Sequence, residues 1–264
     1  MSKYLEVFRL SFKMQNVWRF DVAMTTLATV GRILAAWILW GAIFSVHSAV
    51  SGFSFHSMLT YYIVSSFLTS LDMSDQISGE LSSIIRDGQF SKHMVTPMDP
   101  QGFFGMMIAG ESAFHLFFSL AAAALCSLLF QIKLTLAADL WHIVCAVFMI
   151  LIGLLFMISF NYFLGVLALK LINVDGILHV KGHIIAFCTG AFVPLALLPG
   201  GIVNFMRFLP FYYVSYQPAM ILIGQGDADM WFGLAVLTVW TAAFLMISTY
   251  SYRHLRVKYD GVGI

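Results

Sequence analysis

The sequence predicts an all-α membrane protein with six transmembrane helices, an N-terminal interfacial amphipathic helix and broken helices ahead of the last span. Three observations predict it. Of 264 residues, 60% are apolar and only 10% charged, against roughly 25% charged in a soluble domain. The apolar residues gather into runs that suit the roughly 20-residue helix needed to cross a bilayer. The charges gather between those runs, above all in 74–102. Six spans take up nearly half the chain, so a single transmembrane domain over 1–264 leaves no room for a separate soluble catalytic domain.

The elements follow in order. In 1–20, Lys3, Glu6, Arg9 and Lys13 recur at helical spacing while Leu5, Phe8 and Phe12 fall on another face and Trp18 follows, the pattern of a helix lying in the membrane interface. The first span covers 22–46, interrupted only by Arg32, and the second covers 56–73. The stretch 74–102 is too polar to span. Ile77, Leu81 and Ile84 keep helical spacing within it, so the second helix is expected to run on past the bilayer, break at Asp87-Gly88 and resume near Pro97 and Pro100. The third and fourth spans cover 103–130 and 140–169. A short fifth run, 184–198, contains Pro194, and 199–229 carries Pro210 and Pro218 among aromatic residues. That composition suits helix pieces dipping into the extracellular membrane edge. The last span covers 231–252.

Charge sets orientation and removes partners. An even number of spans puts both termini on one side. With that side cytosolic, eleven of the fourteen basic residues lie inside, Lys133 and Arg207 outside, and Arg32 within a span, as the positive-inside rule requires of a multi-pass plasma-membrane protein. Trp40, Trp141 and Trp231 then fall near the outer interface. A net charge of +1 supplies no counterion release on a nucleic acid, leaving membrane lipid as the surrounding partner. Cys126, Cys145 and Cys188 each sit in an apolar run and read as small buried hydrophobes. His179 and His183 share a helical face, but Lys181 between them repels a cation and no further ligand is near. No metal site is expected.

Catalytic signatures are missing. The chain contains no GxxxxGK[ST] phosphate loop, no HExxH and no GxSxG, so it has no means of hydrolysing ATP alone and no catalytic residue is assigned. Its order of elements is more telling. The opening KYLEVFRLSFKMQNVWRFD, the loop ISGELSSIIRDGQFSKHMVTPMDPQGFFG after the second span, and AFVPLALLPGGIVNFMRFLPFYYVSYQPAMILIGQG before the last together resemble the permease subunits of ATP-binding-cassette type 2 exporters. The resemblance covers essentially the whole chain and looks closest to the drug or viologen exporter-like subgroup. It implies a path formed with a second permease, identical or homologous. It also implies cytosolic ATPase subunits that bind ATP and magnesium, so no cofactor is expected in this chain. It places the coupling helix on 78–92, with Glu80, Arg86, Asp87 and Phe90 as ATPase contacts. It also makes the second and fifth spans line the path, where Tyr61, Tyr62, Ser65, Ser66, Thr69, Asn161, Phe187 and Thr189 are candidates for a substrate-facing wall. Interhelical hydrogen bonding explains the same groups.

Two opposite charges lie inside spans. Arg32 is eleven residues past Asp21 and Glu111 nine past Gly102, depths of about 16 and 14 Å at the helical rise. At matching depth, an Arg32–Glu111 pair with His115 one turn along is expected, since an unpartnered intramembrane charge is costly. The same three residues would be the coupling groups of an ion-driven secondary transporter, the second reading of this sequence. A membrane scaffold is a third.

Overall fold

The structure, a computed structural model, describes residues 2–131, 133–136, 139–171, 174–191, 194–226 and 230–258. The last residues of the broken segment, 227–229, and the chain end, 259–264, lie outside them. Among the described residues the regular structure is helical, joined by turns and loops, with an isolated bridge between Val50 and Phe53. The helices are α1 (Ser2–Met14), α2 (Arg19–Phe44), α3 (Phe55–Leu71), α4 (Asp75–Arg86), α5 (Ser91–Val95), α6 (Pro100–Leu129) and α7 (Leu140–Val166). They continue with α8 (Ala168–Leu171), α9 (Asp175–Cys188), α10 (Gly200–Met206), α11 (Phe211–Val214), α12 (Tyr216–Leu222) and α13 (Met230–Leu255).

Four stretches among the described residues are long and apolar enough to cross a membrane: Phe20–Phe44, Pro100–Leu129, Leu140–Leu171 and Met230–Leu255. The second expected span is the 17-residue α3, and the fifth, 184–198, is not one helix: the 14-residue α9 begins earlier and ends inside it at Cys188. Local signals set the ends. Ser54 and Ser57 form a reciprocal capping box at the start of α3, which satisfies two orphan N–H groups. The Asp99 side chain accepts from the Gly102 N–H at 3.0 Å with Pro100 at the first position of α6, where a missing N–H costs nothing.

The amphipathic α1 lays Tyr4 against Gly102, Phe8 and Ser11 against Gly110, and the ring of Phe12 on Phe114 at 5.4 Å. It therefore runs along the first half of α6, while Leu5, Leu10 and Met14 stay exposed. The second helix does not continue into 74–102 as expected. Asp72 adopts an extended backbone, with φ −82° and ψ 92°, and its carboxylate accepts from the Ser74 N–H at 3.1 Å. This turn ends α3 and starts α4 as a separate helix.

The broken segment goes deeper than the membrane edge. Val214 packs on Gly153, in the middle of α7, and Phe211 meets Phe156 and Phe160 at 5.5 and 5.4 Å. Residues 199–226 thus form a re-entrant hairpin of α10, α11 and α12, whose tip, 211–215, is enclosed by protein. Non-helical backbone at that depth is tolerated only where neighbours satisfy it, and Tyr213 donates its hydroxyl proton to the Arg207 carbonyl at 2.8 Å. A large apolar core surrounds this hairpin. A second core joins α4, α5, α6, α7 and α13 through Leu81, Phe90, Phe104, Tyr162 and Tyr252.

Candidate functional site

The site is built on α4. Asp75 in its first turn suits the positive helix end, and Ile77, Leu81 and Ile85 form a buried stripe. Gly88, at φ +71°, ends the helix. The Gln89 N–H bonds to the Ile84 carbonyl at 3.0 Å and the Gly88 N–H to that of Ile85 at 3.2 Å, a Schellman closure that a left-handed glycine permits. The buried stripe sits on α7 so closely that a Cβ built on Gly165 would stand 2.9 Å from Leu81. The opposite face leaves Asp75, Gly79, Glu80, Arg86 and Asp87 exposed.

Both ends of α4 are tied to neighbouring helices. At its start, the buried Lys181 of α9 donates to Ser78 Oγ at 2.8 Å and Asn161 Oδ1 at 2.6 Å, and pairs with Asp75. These use all three N–H donors of the ammonium. Asn161, fully buried on α7, spends its own amide protons on Ser74 Oγ at 2.9 Å and the Met157 carbonyl at 3.0 Å. A buried cation with every donor satisfied is the arrangement in which burial is tolerated. At the other end, Arg86 Nη1 lies 3.0 Å from Asp175 Oδ2, both side chains being about half exposed. α4 and the first turns of α9 thus run antiparallel, pinned at two points.

The predicted residues divide accordingly. Glu80 and Asp87 are exposed on α4. Arg86 is exposed but engaged with Asp175. Phe90 is not a surface contact. It is fully buried between His93, Phe104 and Tyr252, because the turn at Gly88 folds it back under α4. Asn161 is likewise not on a wall, being enclosed in the Lys181 node. Tyr61 is fully buried and donates to the Gly190 carbonyl at 3.0 Å, whereas Phe187 is exposed on the outer side of α9.

The remaining wall residues do come together. Tyr62, Ser65, Ser66 and Thr69 line a cavity of about 300 Å³ with Arg32 and Ala191. Thr69 and Ala191 also line a neighbouring cavity of about 230 Å³ with Thr189, Asp72, Asp75 and Ser215 of the re-entrant tip.

The Arg32–Glu111 pair does not form. Arg32 donates to Thr29 Oγ1 at 3.1 Å. Glu111 and His115 line a different pocket with Trp18, Asp21 and Gln76, and Glu111 Oε2 is buried without a hydrogen-bond partner among the described residues. The depth count was at fault. The first turns of α6 lie beside α1, so Glu111 stands level with Asp21, while Arg32 is about 16 Å farther along α2. His179 and His183 are exposed on α9 while Lys181 turns inward.

Lys181 and Asp175 were missed as partners of α4. The available signal was that Asn161 and Lys181 are isolated strong polar groups in apolar surroundings, which inside a bundle seek one another. Nothing in their spacing says that they meet. A family model described as ABC-2 family transporter protein matches residues 30–263. No curated protein matches the chain.

Proposed function

The chain belongs to the ABC-2 family of transporter proteins, and from that premise we propose that it is the permease subunit of an ATP-driven exporter, paired with a second permease and with separate cytosolic ATPase subunits. As a family member it is an integral membrane transport component rather than an enzyme. The observation that carries the finer reading is the double attachment of α4. This helix lies outside the long apolar helices, exposes Glu80 and Asp87, and is fixed to α7 and α9 by Lys181, Asn161 and the Arg86–Asp175 pair. A force applied to its exposed face is delivered to two spans.

In this reading the end of the bundle that bears α4 is cytosolic, and α3 and α9, with the segments that continue them, complete a six-span bundle. ATP and magnesium bind in the partner ATPase. Closure of the ATPase pair moves α4 of each permease, and α7 and α9 follow. The cavities on either side of Thr69 are part of the path, bounded by α2, α3, α9 and the re-entrant tip.

The alternative, an ion-coupled carrier using Arg32, Glu111 and His115 together, loses its shared site because Arg32 lies apart from the other two. The test is reconstitution in liposomes. The chain alone is expected to show neither ATP hydrolysis nor transport under a proton or sodium gradient, and the complex with its ATPase to show both ATP hydrolysis and ATP-dependent transport. Gradient-driven transport by the chain alone overturns the proposal.

A further inference from the structure

Arg32 is an intramembrane cation with no anion beside it among the described residues. It stands eleven residues beyond Asp21, and its guanidinium turns back to the neutral hydroxyl of Thr29 at 3.1 Å, which leaves most of its five N–H donors without a partner among those residues. The acids at the floor of the neighbouring cavity are engaged elsewhere: Asp72 accepts from the Ser74 N–H and Asp75 pairs with Lys181. A charge near the bilayer centre is costly and marks a functional group whose partner should be sought. Here the surroundings describe that partner. The cavity of about 300 Å³ beside Arg32 presents the small side chains of Ala35 and Ala36 and hydroxyl groups from α3, Ser66 and Thr69 among them. On the same face of α2, two turns beyond Arg32, Leu39 lines the cavity and is exposed, an apolar flank that suits an acyl chain. A planar guanidinium binds a carboxylate or phosphate through two parallel N–H bonds and discriminates against cations.

We propose that Arg32 and the α2–α3 cavity form the headgroup site for an anionic amphiphile, with its acid group on the guanidinium and its tail along the exposed flank of α2. Naming that amphiphile as cargo rests on the permease reading above. The binding itself needs no ATPase.

The test uses the purified full chain in phosphatidylcholine nanodiscs. The probes are a diazirine-bearing fatty acid, the matching monoalkyl phosphate and the matching alkylamine, and labelled residues are mapped by mass spectrometry. The acid and the phosphate are expected to label 35–39 and 62–69 and to be displaced by excess unlabelled acid, and the amine to label at least about tenfold less. Arg32→Gln should lower acid labelling about tenfold, while Arg32→Lys, which keeps the charge, retains most of it. Unchanged elution and helicity of both variants establish that folding is intact. Equal labelling by acid and amine, or labelling by the acid that survives Arg32→Gln, overturns the proposal and leaves the guanidinium to a carboxylate of a second copy.

The source of the acid is read separately in the complex with its ATPase. An anionic phospholipid that co-purifies with the wild type, not with Arg32→Gln, and is retained through ATP turnover identifies a resident lipid. Release of bound amphiphile on ATP addition identifies cargo. Loss of labelling with ATP-driven transport intact overturns this site alone. Failure of ATP coupling with labelling intact overturns the permease reading and leaves the site standing.

Discussion

At Lys181 a single ammonium group is shared among α4, α7 and α9, and removing it strands the Asn161 carbonyl oxygen in a buried position. Lys181→Met keeps the side-chain volume and is expected to cost about 1.5–3 kcal/mol, the range for a hydrogen bond to a charged group. In a detergent melt that corresponds to a fall in Tm of about 3–12 °C for a chain of this size. The double change with Asn161→Leu should recover part of the loss, because it removes the stranded partner. Additive losses would mean that the two residues act independently. A second residue-scale expectation concerns His93, whose imidazole burial among Phe90, Phe103 and Phe104, and then the nearby Lys92, hold below its ordinary value. A depressed histidine stabilises the fold fully above its unfolded value of about 6.5, and that stability is lost as pH falls through the folded value. Acidification from pH 7 to 5 should lower the wild-type Tm more than that of His93→Phe. The polar residues at Asn161 and Lys181 were visible in the sequence. Their meeting was not, because it depends on how α7 and α9 cross and on where α4 begins.

Close helix contact gives the element-scale predictions. A Cβ on Gly165 collides with Leu81, and one on Gly110 meets the Phe8 carbonyl at 2.5 Å, whereas Gly79 on the exposed face of α4 has nothing within 4 Å. Gly165→Ala should therefore displace α4 from α7, and Gly110→Ala should displace α1 from α6. Each should expose protease sites and lower folded yield. Gly79→Ala is the control, expected to be neutral or to gain up to about 1 kcal/mol of helix stability. Charge reversal at Glu80 and Asp87 should leave stability in detergent within about 0.5 kcal/mol of wild type, as for exposed side chains in general. It should nonetheless weaken co-purification of the ATPase, and full complex yield would remove these residues from the docking surface. The spacing of Ile77, Leu81 and Ile84 made α4 legible in the sequence, as did the stop at Asp87-Gly88, although the third buried position proved to be Ile85. The separation of α3 from α4 was not, because the turn rests on one side-chain bond from Asp72 to the Ser74 N–H. The depth of the re-entrant tip was hidden for a similar reason. Prolines announce that helices break but not how far the pieces travel.

For the whole molecule, hydropathy marked the membrane class and the family resemblance marked the transport role, while charge depth was misread because α6 begins well before the level of Asp21. That offset also shapes the assembly. Arg32 and Glu111 belong to different pockets, so Arg32→Leu and Glu111→Leu should show additive effects on folded yield, and a recovery in the double variant would restore the abandoned pair. The offset has a further consequence in time. The seat of Phe8 on α6 is Gly110, which leaves the ribosome about a hundred residues after it. At 5–20 residues per second the newborn α1 waits roughly 5–20 s for its partner. Its exposed Leu5, Leu10 and Met14 give it somewhere to wait, at the headgroup layer. The amphipathic face that the sequence displays so plainly is thus a mooring for the nascent chain, used before α6 arrives and α1 turns to lie along it.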